Sequence, residues 1–518
     1  MLFSRRIPNR IILTIYLSFV LIAFLDVFVT EDIMILIVTT VSFAIVVFFL
    51  SDFLLEYISG IKILDNMASN LSNKTIIIIS FLGTFLCMML WFAGFFPGSF
   101  QGDCIAQMKQ ALTGDYSDWH PVWHTVLIYT IPLKLTGGRI WSVVFFQIIW
   151  FCVAISYMCV TIHYIAGIKW TIIAWAYIIL NPYTGQMMLY PWKDSAFAIT
   201  ALVSMIMVIR IVYSQGVWTD KWFNCLMLGF MLTNTTLFRH NAVLFTLPLI
   251  MALFFNTHMK QWIKVVVYFL ITLIIIKIPM YEVLDVYREP QSVEQAVGLP
   301  MSVIANVAKE TPELLDEETS GFIYSIAPQE TWENDYVLGN YGVVKYYSDI
   351  NNKVIEETGV LPIFKMGLRC FTYSPKASFK AFFSLTDIVY GIDILDEGHI
   401  GTQIETNDLG IHNNGNIYIA ELLDIYYKIV RLHGLNFCRQ FSFSLLLILV
   451  FALAVFKLNV WNDWKKLFLI IPAFTYAYGT MFLLTSPDSR FFYMVYLICP
   501  ISILLILTHR RNDNEELY

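Results

Sequence analysis

The stretch TIIIISFLGTFLCMMLWFAGFF, residues 75–96, contains no charged side chain and is long enough to cross a bilayer as a helix. Runs of this kind recur along the chain. They constrain the fold more than any other feature, because hydrocarbon offers no partner for an exposed peptide group. A spanning segment must satisfy its own N–H and C=O groups as a helix, or close into a barrel. The period-2 alternation of barrel strands is missing here, so the expectation is an all-α polytopic membrane protein. Composition agrees: 58% of the 518 residues are hydrophobic, 14% are charged and mean hydropathy is +0.65. A soluble chain carries about a quarter charged residues.

Twelve helical spans are expected, at about 11–29, 33–50, 75–96, 140–162, 170–190, 195–213, 222–238, 241–257, 262–280, 438–457, 465–484 and 490–508. The basic start MLFSRRIPNR has no small-residue cleavage site after it, so the first run reads as a retained span. HPVWHTVLIYTIPLKLTGG is apolar, but Pro132 and Lys134 interrupt it. It reads as a helix in the outer interface rather than a thirteenth span. Loop charge decides between the two. With twelve spans, 15 Lys and Arg fall on the cytoplasmic side, against 8 on the outer segments other than one large loop. A thirteenth span would invert every later loop and break the positive-inside rule. Both termini are therefore expected in the cytoplasm of a multi-pass cell-membrane protein.

Three regions follow. Residues 1–280 form an N-terminal membrane domain with an outer loop at 97–139. Residues 281–436 form an extracytoplasmic domain, mainly α or α+β, and 437–518 form the C-terminal membrane helices. The outer region carries 23 Asp and Glu and 10 Lys and Arg, whereas the whole chain has a net charge of −6. Such an acidic region argues against nucleic acid as a partner. The eight cysteines are scattered, with no C-x-x-C pair and no disulfide framework.

Unusual polar residues gather at one membrane face in this topology. Asp103, Asp118 and His120 lie in the first outer loop. Lys193 and Asp194 open the sixth span, Arg239 and His240 sit in the turn after the seventh, and Asp488 and Arg490 precede the last. Each has a plain alternative: Lys193 and Arg239 can snorkel, while Asp194 and Asp488 can cap helices. His124 follows His120 by four residues, a one-face spacing suited to a metal pair, but no third ligand accompanies them. The span interiors are nearly free of charge, unlike those of proton-coupled transporters. Carboxylates beside cations at the outer boundary suit proton abstraction and stabilisation of an anionic leaving group, such as a lipid phosphate.

These residues also carry a family likeness. An outer-loop Asp close to the membrane edge precedes an HP helix, a span ending in NP, an outer KD pair and the hairpin GFMLTNTTLFRHNAVLFTLPLIMALFF. Residues 75–280 thereby resemble the GT-C superfamily of polyprenyl-phosphate-dependent glycosyltransferases, such as the protein O-mannosyltransferase-like and aminoarabinose-transferase-like enzymes. The resemblance implies an inverting transferase with Asp103 as general base and Asp118 as a second carboxylate. It implies Lys193, Arg239 and Arg490 as phosphate-binding cations, with Asp194, His120 and His240 nearby. His120 stands where many members have a basic residue before the interfacial Pro. The donor would be a polyprenyl-phosphate-linked sugar and the acceptor an envelope glycan. A divalent cation is compatible with this chemistry, but no residues are assigned to one. The alternatives are another enzyme of lipid-linked glycans, such as a polymerase or ligase, and a multi-span transporter or flippase.

Overall fold

The computed structural model describes residues 7–24, 33–60, 71–289, 292–391, 403–432, 441–456, 458 and 460–515. Among them the protein is all-helical, with no strand and only three isolated bridges. Residues 25–29 of the first expected span, 438–440 of the tenth, and the basic residues Arg5, Arg6 and Lys62 lie outside this set.

Among the described residues, six helices are long and apolar enough to cross a membrane: Ile37–Gly60, Asn73–Gly94, Trp141–Ala166, Lys193–Tyr213, Met259–Val283 and Ser489–Thr508. Shorter apolar helices accompany them at Ile7–Leu21, Ile168–Ile179, His240–Asn256 and Phe441–Val455. Burial sorts the long ones into layers. In Lys193–Tyr213, 94% of the apolar window is buried inside the protein, against 11% in Ile37–Gly60 and in Met259–Val283. The outer pair is therefore left to face lipid. Lys193–Tyr213 and Ser489–Thr508 pack against each other at the centre. The N-terminal end of each carries one of the candidate cations.

Two expected spans are broken. The run 170–190 becomes Ile168–Ile179 and a second helix, Pro182–Leu189. A residue before proline is disfavoured in the α region. Asn181 is extended instead and its Oδ1 accepts the Tyr183 N–H at 2.9 Å, capping the second helix. The run 465–484 likewise divides, into Trp461–Leu467 and Ile471–Met481.

The HP segment forms one continuous helical stretch. Val122–His124 leads into a π turn at Thr125–Thr130 and then Ile131–Thr136, ended by left-handed Gly137. The π turn directly precedes Pro132, which has no N–H to give to an α-helical bond. At about 1.5 Å per residue the stretch is shorter than a bilayer core.

Residues 292–391 build a second apolar core. Met301, Trp332, Tyr336, Tyr341 and Ile363 are fully buried in it. The Trp332 indole N–H donates to the carbonyls of Ile323 and Ala327 at 3.2 and 3.1 Å. At the other end, Asn9 Nδ2 donates to Leu453 O at 2.7 Å and ties the first helix to Phe441–Val455.

Candidate functional site

The site begins where the Asn73–Gly94 helix ends. The chain then turns at Gly98. Its φ of 118° is in the range that favours glycine, and an added Cβ would meet the Val144 side chain at 2.5 Å. Gly102 is the first residue of the Gly102–Thr113 helix, and Asp103 lies in its first turn. A carboxylate there is favoured by the N-terminal end of the helix dipole.

A segment some 300 residues away secures this loop. Phe100 N–H donates to Gln403 O, and Glu405 N–H to Phe100 O, both at 3.0 Å. Asn414 N–H donates to Phe96 O and Asn416 N–H to Ala93 O, both at 2.8 Å. A methyl group on Gly102 would stand 3.2 Å from Glu405 Oε2, so a carboxylate that sequence reasoning missed lies beside the Asp103 turn. Its only sequence signal is an acidic residue in a polar stretch, which many residues of this chain share.

The structure brings Asp103, His120 and Lys193 together. Lys193 Nζ is 3.5 Å from Asp103 Oδ2 and donates to His120 Nδ1, also at 3.5 Å. Burial pushes the Asp103 carboxyl up, but Lys193, Arg490 and His120 together outweigh it and hold the group at about 2. His120 is buried. Burial first, then Lys193, lowers it to about 4 despite the opposing pull of Asp103. It is therefore neutral at pH 7 and can offer a hydrogen bond but no cation.

A second cluster lies beside the first. Asp194 is 1% exposed and sits between two guanidinium groups. Arg239 Nη1 pairs with its Oδ1, and Arg490 Nε is 4.0 Å from its Oδ2. Arg239 also donates to Tyr476 Oη at 2.8 Å, and the Tyr476 hydroxyl donates to Phe491 O at 3.0 Å. Arg490 Nε lies 2.8 Å from Asp488 Oδ2. The Phe491 ring has the Arg239 guanidinium 4.7 Å and the Arg490 guanidinium 5.0 Å from its centroid. Arg490 also stacks 4.9 Å from Trp192, whose other ring neighbour is Tyr190, parallel at 3.9 Å. Delocalised guanidinium groups suit such stacking better than ammonium groups.

No known protein family, curated protein or solved structure matches this chain.

The candidate residues thus separate into groups. Lys193 and Arg490 keep 21% and 19% of their side chains exposed, so they remain open to a ligand, while Arg239 at 9% is a buried counter-ion of Asp194. Asp118 is engaged by another segment. Its Oδ1 accepts the Glu289 N–H at 2.7 Å, and Asp118 N–H donates to Tyr287 O at 3.0 Å, so it clamps the chain leaving Met259–Val283. His240 Nε2 donates to Trp119 O at 3.4 Å, and desolvation followed by Lys193 holds its imidazole below the ordinary value. His124 is fully buried between the rings of Tyr129 and Phe238, and its Nδ1 accepts from Gln107 Nε2 at 2.9 Å. It packs there as a core residue. Among the described residues no group of three or more His, Cys, Asp or Glu has a metal-holding arrangement.

Trp192, Tyr476 and Phe491 went unrecognised in the sequence. Trp192 had a signal, an aromatic ring directly before a charged pair. Tyr476 had none, since it is one of two tyrosines in the apolar helix Ile471–Met481.

Proposed function

We propose that this protein is a membrane glycosyltransferase that moves a sugar from a polyprenyl-phosphate donor to a cell-envelope glycan on the outer membrane face. The carrying observation is the juxtaposition of ionised Asp103 with two accessible cations, Lys193 and Arg490, at the ends of the two central helices. In this reading, Asp103 takes the proton of an acceptor hydroxyl. The acceptor oxygen attacks the anomeric carbon, the bond from that carbon to phosphate oxygen breaks, and the configuration inverts. Lys193 and Arg490 take up the negative charge of the departing polyprenyl phosphate. His120, neutral, is a hydrogen-bond donor to substrate, and the buried Asp194 and Arg239 position Arg490.

An apolar cavity of about 240 Å³ is in keeping with a lipid donor. It is lined in part by Tyr177, Phe451, Pro500 and Leu504. Pro500 lies ten residues beyond Arg490 on the same run, about 15 Å along a helix axis. A phosphate at Arg490 and an isoprenoid chain in this cavity are separated by a distance that a polyprenyl phosphate can bridge.

The topology that serves this function has twelve crossings, with Trp222–Phe238 and Ile471–Met481 completing the set. Both termini are cytoplasmic, Val122–Thr136 lies in the outer interface and residues 281–436 are extracytoplasmic. The test is transfer by the purified protein from a defined polyprenyl-phosphate sugar, with and without a chelator, beside envelope glycan analysis of a deletion strain. No transfer from any such donor, together with an unchanged envelope, overturns the reading. Transport of the donor without sugar transfer would favour the flippase alternative.

A further inference from the structure

The short helix Tyr341–Tyr347 belongs to the second apolar core, yet it is fastened to the loop that precedes Arg490. Gly342 N–H donates to Thr485 O at 2.9 Å, and an added Cβ on Gly342 would stand 3.5 Å from Ser486 Cβ. One turn later the helix presents two exposed aromatic rings, Tyr346 at 67% and Tyr347 at 87%.

Tyr346 differs from an ordinary surface tyrosine in being braced. Lys345 Nζ lies 5.2 Å from its ring centroid. That ammonium is itself held, 3.6 Å from Glu294 Oε2, with both side chains nearly buried. Glu356 fixes the Glu294 turn in its place by accepting the N–H groups of Val293 and Glu294 at 2.9 and 3.2 Å. A cation secured against one side of the ring restrains its orientation and leaves the rest of the aromatic surface free. The phenol is raised by desolvation first, then by Asp103 and Glu294, with Arg490 pulling the other way. The Gly342–Thr485 bond ties the helix that carries this ring to the loop that leads to Arg490.

We propose that Tyr346 is a stacking platform for a pyranose ring of the acceptor, set beside the loop that leads to Arg490. This rests on the glycosyltransferase reading and adds where and how the acceptor binds. A pyranose has an apolar C–H face and a rim of hydroxyl groups. An aromatic ring amid carboxylates and cations matches both parts, since the ring face takes the C–H groups and the charged groups take the hydroxyls. An acyl chain has no hydroxyl groups to offer those charges, which disfavours a lipid as the occupant.

The experiment uses the full chain in nanodiscs and saturation-transfer NMR with methyl glycosides of glucose, galactose, rhamnose and N-acetylglucosamine. At least one should receive saturation at its ring C–H protons. Tyr346→Ala should weaken its binding about tenfold, the equivalent of one aromatic contact. Tyr346→Phe should stay within about twofold, since the ring remains. Both variants should keep the wild-type melting temperature, the side chain being exposed. Absence of binding by every glycoside, equal binding by the Ala variant, or equal loss in the Phe and Ala variants each overturns the platform. The two readings fail separately. Glycoside binding through Tyr346 without any sugar transfer removes the transferase and keeps the platform. Transfer with an unchanged acceptor KM in Tyr346→Ala removes the platform and keeps the transferase.

Discussion

Lys193 Nζ stands 3.5 Å from Asp103 Oδ2, so the proposed general base is ion-paired with a cation that the donor phosphate also attracts. A carboxylate held at about 2 is a weak base. In the proposed mechanism an entering phosphate competes for Lys193, and a lysine drawn toward it leaves burial less opposed at Asp103. On this reading, donor binding and base strength are coupled through one ammonium group.

Lys193→Gln removes this restraint, and burial, which raises Asp103, is then opposed only by Arg490 and His120. The acid limb of the kcat/KM profile should move to higher pH by about one unit, the lower range for loss of one opposite charge. Transfer at limiting donor should fall as well. An acid limb that stays in place would show that the pair does not control the base.

Asp103→Asn keeps the shape and removes the base. Single-turnover transfer should drop about 10²–10⁴-fold, with donor binding and melting temperature close to wild type. Near-normal transfer by the folded variant would pass the role of base to Glu405, whose Oε2 is the adjacent carboxylate oxygen.

Arg490 and Arg239 should fail differently. Arg490→Lys loses the bidentate fork and the stacking on Trp192 and Phe491, so transfer at limiting donor should fall about tenfold while the fold survives. Arg239→Ala leaves Asp194 buried without its closest partner, a loss of about 3–5 kcal/mol in stability. The double variant with Asp194→Asn should recover part of it. Equal melting temperatures for Arg239→Ala and wild type would place Arg239 outside the structural pair.

Asp118→Ala breaks the clamp on Glu289 without touching the proposed chemistry. The melting temperature should fall by a few degrees, in line with about 1–3 kcal/mol for one charged acceptor. The rate of single-turnover transfer should stay within about threefold. A loss of 10²-fold with the fold intact would restore Asp118 as a catalytic carboxylate.

Acid should destabilise the protein well above the usual carboxylate range. His120 and His124 are depressed to about 4 and about 3, in each case by burial first. Their unfolded forms take up protons near pH 6.5, while the folded forms stay neutral. Stability is therefore full above pH 6.5 and is lost as the pH falls toward 4 and 3. At pH 5 each histidine accounts for about 2 kcal/mol. The melting temperature should drop between pH 7 and 5, and His120→Gln should flatten that slope. An equal slope in the variant would mean that His120 does not titrate as described.

The sequence by itself determined the solvent in which the chain folds and the helical state of its apolar runs. Each run must satisfy its own peptide groups in hydrocarbon, a requirement that a local stretch of residues reveals. Asn73–Gly94 and Lys193–Tyr213 therefore lie close to their expected limits, and even the break at Asn181–Pro182 has a local cause. Only the tertiary structure decided which charges meet. Asp194 and Asp118 look alike as acids near span ends, yet one lies between Arg239 and Arg490 and the other clamps Glu289. Glu405 reaches the Asp103 turn, and Tyr476 reaches Arg239, across more than 200 residues of chain. Helix periodicity shows which face is apolar, but partners across such separations are chosen by how the helices pack, which no single segment encodes.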